Sequence, residues 1–347
     1  MASKMKAIVT VEGKTAQLQD VDVPKLGEGE IIVKTHYVAQ NPTDWKSMLS
    51  VPAGRILGCD FAGTVQDSNG SHWREGQRVA GFVFGASENP TRGAFAEYIA
   101  TEASLVYPIP DSISHQDAAV IPLAFATAVQ ALFGRLKLPE PSKPAKSAFP
   151  FLVNGGASSV GQYAIQLGKL AGAFVIATGS SQNHELLKSL GADAVINYKD
   201  PNWTEEVRKI THNGLELAFD CISENSTIEA VSETLSPTKG GHIVTILPVD
   251  KIREKIVSKK VKLESTIVYT VFGRPVKYDS FDNCGEPTPQ DKALWEKYLA
   301  KLPELLSNGE IKPNKVRERG GLDSILAGLK EHQEGKVRAE KLVYKIL

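Results

Sequence analysis

The stretch VNGGASSVG, Val153 to Gly161, decides the fold. An apolar run, FPFLVN (149–154), leads into it, and a helical pattern, VGQYAIQLGKLAG (160–172), leaves it. Strand, glycine turn and helix start together place backbone amides around an anion. Gly155 and Gly156 let the chain turn sharply and approach a ligand, and Gly161 removes a side chain where helix and strand pack closely. The amides at Ser158, Ser159 and Val160 face the turn, where the helix dipole favours negative charge. The alternative is a βα turn that holds nothing, since glycines also mark ordinary loops.

Outward from this turn the chain alternates strand and helix. AFVIATG, HELLKSLG, DAVINY, WTEEVRKIT, LELAFDCI, TIEAVSETL and GGHIVTIL follow in that rhythm, which predicts a doubly wound parallel sheet with helices on both faces. After KLESTIVYTVF the rhythm ends. Two helical patterns, KALWEKYLAKLPELLSNG and LDSILAGLKEHQEG, precede a last strand, EKLVYKI. Before the turn, KAIVTV, EIIVKTHYVA, AGTVQD, RVAGFVF and AFAEYIA are strand-like runs separated by LGEGE, DSNGS and ENPTRG, as in a barrel-like sheet. DAAVIPLAFATAVQALF reads as two helical pieces meeting at Pro122, and LKLPEPSKPAKSAF as a surface excursion. The expectation is an α/β chain of two domains: 1–122 with 290–347, and 123–289.

Bulk composition narrows the function classes. Forty basic residues balance forty acidic ones, so nothing calls for nucleic acid or an anionic membrane surface as partner. No apolar run is long enough to span a bilayer. The start, MASKMKAIVTV, lacks the apolar core of a secretory signal. Cys59, Cys221 and Cys284 lie far apart in sequence and suit a reducing compartment, so a cytoplasmic protein is expected.

The end of the second α/β strand indicates whose phosphate the turn would hold. An NAD site usually places Asp or Glu there, about twenty residues past the glycines. Here ATGSSQN carries no carboxylate, which a 2′-phosphate of about −1.5 to −2 charge would oppose. Ser180, Ser181 and Asn183 offer hydrogen bonds instead, with Tyr198 at the end of the next strand. NADPH is therefore the expected cofactor; the alternative is that the serines cap the following helix.

Several further stretches fall into one pattern. LGEGEIIVKTHYVAQNPTDWK, ILGCDFAGTV, WREGQRVAGF, GAFAEYIA, DAAVIPLAFATAVQAL and GKVRAEKLVYKI occur in the order seen in medium-chain dehydrogenases/reductases, which the chain resembles over nearly its whole length. NPTDWK, the proline-rich excursion and GGASSVG resemble fungal trans-acting enoyl reductases, which partner polyketide synthases. The resemblance implies a Rossmann sheet that binds NADPH, beside a GroES-like catalytic domain. In zinc alcohol dehydrogenases of this superfamily a Cys stands in place of Asn41, and Gly-His-Glu in place of Gly58-Cys59-Asp60; the four-cysteine lobe is also absent here. With single, scattered histidines, no metal is expected, and a conjugated C=C bond, which carries its own electron sink, fits better than an alcohol.

The resemblance also implies residue roles. Asn41, Asp44, Trp45 and Lys46 would lie beside the nicotinamide, with Lys46 delivering a proton or holding the substrate oxygen; the alternative is a surface lysine paired with Asp44. Thr127 would hydrogen-bond the carboxamide or the substrate, or simply pack its helix. Pro122, Phe125 and Val129, with Val268, Tyr269 and Phe272, would line the acyl channel; at the least, 267–272 would be the sixth core strand. Leu247 and Pro248 would touch the ribose, and Val337 and Arg338 would close over the nicotinamide. The charge run KIREKIVSKKVK (251–262) reads as a solvated helix face, or as a docking site for an acidic acyl carrier protein. Stand-alone quinone reduction and cofactor binding without turnover remain open beside enoyl reduction, as does the choice between monomer and homodimer.

Overall fold

The computed structural model describes residues 4–248, 256, 260–274, 276 and 288–347. The chain forms two compact units. One comprises Met1–Leu123, Glu296–Gly309 and Pro313–Leu347; the other comprises Ala124–Trp295 and Glu310–Lys312.

In the second unit six strands are parallel: β8 (Pro150–Asn154), β9 (Phe174–Gly179), β10 (Ala194–Asn197), β11 (Leu217–Asp220), β12 (Gly241–Thr245) and β13 (Val261–Ser265). Their spatial order is β10-β9-β8-β11-β12-β13. That is the doubly wound order, and its direction reverses between β8 and β11, where such sheets open a crevice at the strands' carboxyl ends. Helices α4 (Ser159–Leu170), α5 (His184–Ser189), α6 (Trp203–Ile210) and α7 (Asn225–Thr234) connect the strands. Leu152, Ile176, Ala218 and Ile243 on the strands pack with Val207, Ile228 and Val231 on the helices in one buried core. Burying aliphatic side chains of this size contributes about 1.5–3 kcal/mol each, before conformational entropy opposes it.

The first unit is built on β3 (Glu30–Ala39). It pairs antiparallel with β4 (Asp60–Asp67), with β6 (Tyr98–Glu102) and with the last strand, β15 (Glu340–Lys345). β5 (Arg78–Phe82) and β7 (Val106–Pro108) extend one edge, and β14 (Lys315–Glu318) the other, while β1 (Lys4–Val11) and β2 (Thr15–Asp22) form a separate hairpin. The return of β15 to pair with β3 brings the end of the chain into the unit where it began. Three helices matter below: α1 (Pro42–Ser50), α2 (His115–Ala119) and α3 (Pro122–Val129). Pro122 opens α3, where a missing N–H costs nothing.

NPTDWK supplies the N-cap and the start of α1, whose nine residues are too few for a helical period to stand out beside strand-rich flanks. One reading needs correction. The sixth strand is β13, and Val268–Phe272 is a 3₁₀ turn with all five residues buried, so its β-branched composition reflects burial rather than strand pairing. The charge run 251–262 lies mostly outside the described residues. Its last two residues, Val261 and Lys262, open β13. Helix α8 (Pro289–Ser307) carries Pro303 inside it, and α9 (Ile325–Gln333) precedes β15.

Candidate active site

The glycine turn follows β8, at the point where the sheet order reverses. Gly155 has φ +75°, a conformation that favours glycine. A Cβ at Gly161 would press into the Gly155 carbonyl, and one at Gly156 would lie 3.1 Å from the Ala177 Cβ, so both glycines serve close approach. The Gly156 amide donates to the Thr178 carbonyl at 2.8 Å, and the Ser158 amide to the Gly155 carbonyl at 2.9 Å. The Gly161 amide donates to Ser158 Oγ at 3.0 Å, which makes Ser158 the N-cap of α4. With these amides committed within the turn, the first-turn amide at Val160 is left by helix geometry to face a ligand.

Residues not singled out in the sequence hold this turn. Thr178 Oγ1 accepts the Gly155 amide at 2.9 Å and donates to Asn154 Oδ1 at 2.6 Å. Asn154 Nδ2 donates to Asp220 Oδ1 at 2.8 Å, and Thr227 Oγ1 donates to Asp220 Oδ2 at 2.6 Å. Ser223 Oγ donates to the Asp220 carbonyl and receives the Ile246 amide at 2.8 Å. The carboxyl ends of β8, β9, β11 and β12 are thereby tied together. The available signal was a polar residue at or next to the end of three apolar strands, β8, β9 and β11, at Asn154, Thr178 and Asp220.

Beyond β9, Ser180 and Asn183 are hydrogen-bonded side chain to side chain at 3.2 Å, and Asn197 Nδ2 donates to Ser181 Oγ at 3.1 Å. Neither serine hydroxyl caps α5, so the capping alternative fails. β10 ends at Asn197, one residue before Tyr198, which is 49% exposed. Leu247 offers its carbonyl to Thr245 Oγ1 and Ser265 Oγ at 2.9 and 3.0 Å, and Pro248 follows it.

Thr127 is buried on α3, while Phe125 packs edge-on against Tyr163 with ring centroids 5.7 Å apart. Val129 is buried and runs into a π-helical segment, Gln130–Arg135, of a kind often found at functional sites. Gln130 Nε2 donates to Thr270 Oγ1 at 2.8 Å, and its Oε1 accepts from Thr266 at 2.5 Å, pinning the turn that contains Val268, Tyr269 and Phe272. Arg135 holds Asp291 with two hydrogen bonds, at 2.8 and 2.9 Å. Burial works against the Asp291 charge, yet the guanidinium keeps its carboxyl below the ordinary value.

In the first unit Asn41 precedes α1, and its amide donates to Asp44 Oδ2 at 2.6 Å. Both side chains are buried and engaged inward rather than presented outward. Asn41 Nδ2 donates to Asp60 Oδ2 at 2.8 Å and Asn41 Oδ1 accepts from Lys341 Nζ at 2.9 Å. Lys341 Nζ also lies 2.6 Å from Asp60 Oδ2, and the Leu123 amide donates to Asp60 Oδ1 at 2.8 Å. Burial, with the Asp60 charge, pushes Asp44 up to about 7 against the pull of the Asn41 amide, the Cys59 thiol and Lys341. Trp45 is half-buried and Lys46 exposed, with Lys46 Nζ 5.8 Å from the Trp45 ring centroid. Asp44, the third residue of α1, closes a capping box on the amide of the N-cap Asn41. Val337 packs on the core, and Arg338 Nε donates to the Gly335 carbonyl at 3.1 Å.

Residues 27–111 match the alcohol dehydrogenase GroES-like domain, and 159–281 match the zinc-binding dehydrogenase model. A trans-enoyl reductase of Alternaria alternata is 35% identical over 353 residues, covering 100% of both chains. The chain belongs to the trans-enoyl reductases of the medium-chain dehydrogenase/reductase superfamily. Another relative, from Cochliobolus carbonum, is 39% identical over 274 residues, which is 77% of this chain and 90% of that one. In fold, this trans-enoyl reductase family member resembles CurK enoyl reductase, with a TM-score of 0.77, 21% identity and 99% of each chain covered. The architecture is that of a nicotinamide-dependent oxidoreductase, a GroES-like domain with a Rossmann-type sheet. No helix among the described residues is long and apolar enough to cross a membrane.

Zinc appears in the name of one matching model, but the donors in this trans-enoyl reductase do not fit it. Asp60 already accepts from an ammonium, a carboxamide and a backbone amide, and Asn41 has no anionic atom to offer. Among the described residues no three His, Cys, Asp or Glu side chains gather as a metal-binding group.

Proposed function

We propose that this chain reduces the C=C bond of an α,β-unsaturated thioester with NADPH, acting in trans on a substrate carried by a polyketide synthase. The observation that carries the reading is the Asp60 carboxylate, saturated by Lys341, Asn41 and the Leu123 amide. A dication would meet an ammonium there, so the site is built for a substrate that needs no Lewis acid, such as an alkene conjugated to a thioester carbonyl. The names of the relatives, trans-enoyl reductases, support the same chemistry.

The Val160 amide would meet the pyrophosphate, in a turn that Gly156, Ser158, Ser159 and Gly161 shape around it. Ser180, Ser181, Asn183 and Tyr198 would meet the 2′-phosphate, with Leu247, Pro248, Val337 and Arg338 nearer the nicotinamide end. The reduced dinucleotide, when bound, supplies the hydride. Lys46 then holds the developing enolate oxygen or delivers the proton to the α-carbon, and Thr127 orients the reacting groups by hydrogen bonding. Trp45 stands beside Lys46 on α1. Pro122, Phe125, Val129, Val268, Tyr269 and Phe272 would shape the surroundings of the acyl chain.

The test is incubation of the purified protein with NADPH and a panel of enoyl thioesters and quinones, with products identified by mass spectrometry. Saturated thioesters are expected. Turnover of quinones alone would favour the stand-alone quinone reductase reading instead.

A further inference from the structure

Lys341 is a buried lysine that the proposed chemistry does not use. It is 3% exposed and lies against Asp60 and Asn41, at 0% and 2%. Its Nζ reaches Asp60 Oδ2 at 2.6 Å and Asn41 Oδ1 at 2.9 Å, while Asn41 Nδ2 reaches the same Asp60 oxygen at 2.8 Å. The triangle is closed. The two charges fix the orientation of the carboxamide, because its oxygen faces the ammonium and its nitrogen faces the carboxylate.

A buried ion pair is weak evidence for stability, since well-packed apolar residues often replace one without loss. What this pair holds is therefore more informative than its strength. Asn41 is the N-cap residue of α1 and is fixed twice, by its side chain in the triangle and by its backbone amide on Asp44. Trp45 and Lys46 follow in α1, as its fourth and fifth residues. We propose that Lys341 is a positioning residue: through Asn41 and Asp60 it sets the entry of α1 and so the placement of Lys46. This rests on the reading of Lys46 as a reacting-site residue.

The experiment uses full-length protein labelled with fluorotryptophan, with the Trp45 ¹⁹F signal assigned from Trp45→Phe. Lys341→Met or Asp60→Asn alone disturbs a buried charge balance and lowers Tm. The double variant removes both charges, and Asn41→Ala leaves the ion pair intact while deleting the bridge. In both of these the Trp45 resonance is expected to shift or broaden while those of Trp203 and Trp295 stay in place. Turnover of an enoyl thioester should fall by about 10²-fold in kcat with a much smaller change in KM, the signature of a displaced reacting group. Parent-like Trp45 resonance and kcat in Asn41→Ala would overturn the proposal, whether or not the double variant folds. A parent protein that reduces no enoyl thioester would sink the functional reading, and the Trp45 signal alone would then decide the positioning role.

Discussion

The Thr178 hydroxyl accepts the Gly155 amide at 2.9 Å, so the first glycine of the turn is fixed by a side chain from the neighbouring strand. Thr178 in turn donates to Asn154, at the end of the strand that leads into the turn. Thr178→Val keeps the shape and leaves both groups without this partner. The expected loss is about 1–3 kcal/mol in denaturant unfolding, with weaker NADPH binding by fluorescence titration. Thr178→Ser should retain most of both. Parent-like stability and binding in the valine variant would show that the turn holds itself.

Cofactor choice follows from the residues after β9. NADPH should bind at least about tenfold more tightly than NADH, since Ser180, Ser181 and Asn183 present hydroxyl and amide groups and no carboxylate opposes a 2′-phosphate. Ser180→Asp should narrow the gap by weakening NADPH. Equal affinities in the parent would contradict the assignment.

Part of the acid sensitivity should come from two stacked histidines. His36 and His115 lie ring on ring at 4.7 Å, with a β-bulge between Thr35 and Tyr37 placing His36. Burial, with the neighbouring His36 and Arg78 charges, lowers His115 from its ordinary 6.5 to about 4, and His36 is lowered too. The folded state prefers both rings neutral. Their contribution is present above pH 6.5 and lost as pH falls towards 4. His115→Phe keeps a stacked ring without the titration, so unfolding curves should show a smaller loss over that window.

Asp44 has the opposite sign. Its carboxyl is raised from 3.8 to about 7, so its contribution is full below 3.8 and is lost as pH rises through 7. The stability difference between parent and Asp44→Asn should therefore move in the variant's favour between pH 4 and pH 8, measured by thermal unfolding in matched buffers.

The parallel sheet was legible because its strands are nearly continuous apolar runs cut by glycine turns, and all nine segments from FPFLVN to GGHIVTIL became the expected elements. β2 was missed because TAQLQDVD is mostly exposed and carries little hydrophobic signal. The polar clusters were harder to see, for they join positions far apart in sequence. Asp60 and Lys341 are separated by 281 residues, and each stands near the start of a strand that carries other charges as well, Asp67 in β4 and Glu340 and Lys345 in β15. A charge of each sign inside buried strand patterns was the only local sign that they pair.

Lys46→Ala and Thr127→Ala test the chemistry at residue level. Removing one positioned donor at such a site typically costs about 10²–10³ in kcat, and NADPH affinity should change little. Parent-like turnover of a thioester in both variants would make these residues scaffold.

The central claim is reduction of a conjugated C=C bond, and NADPH deuterated at the transferred position tests it most directly. Incubation with an enoyl thioester, followed by mass spectrometry and NMR of the product, should find one deuterium on the β-carbon and a solvent-derived proton on the α-carbon. Deuterium on a carbonyl carbon, or cofactor oxidation with the alkene left intact, would contradict the account.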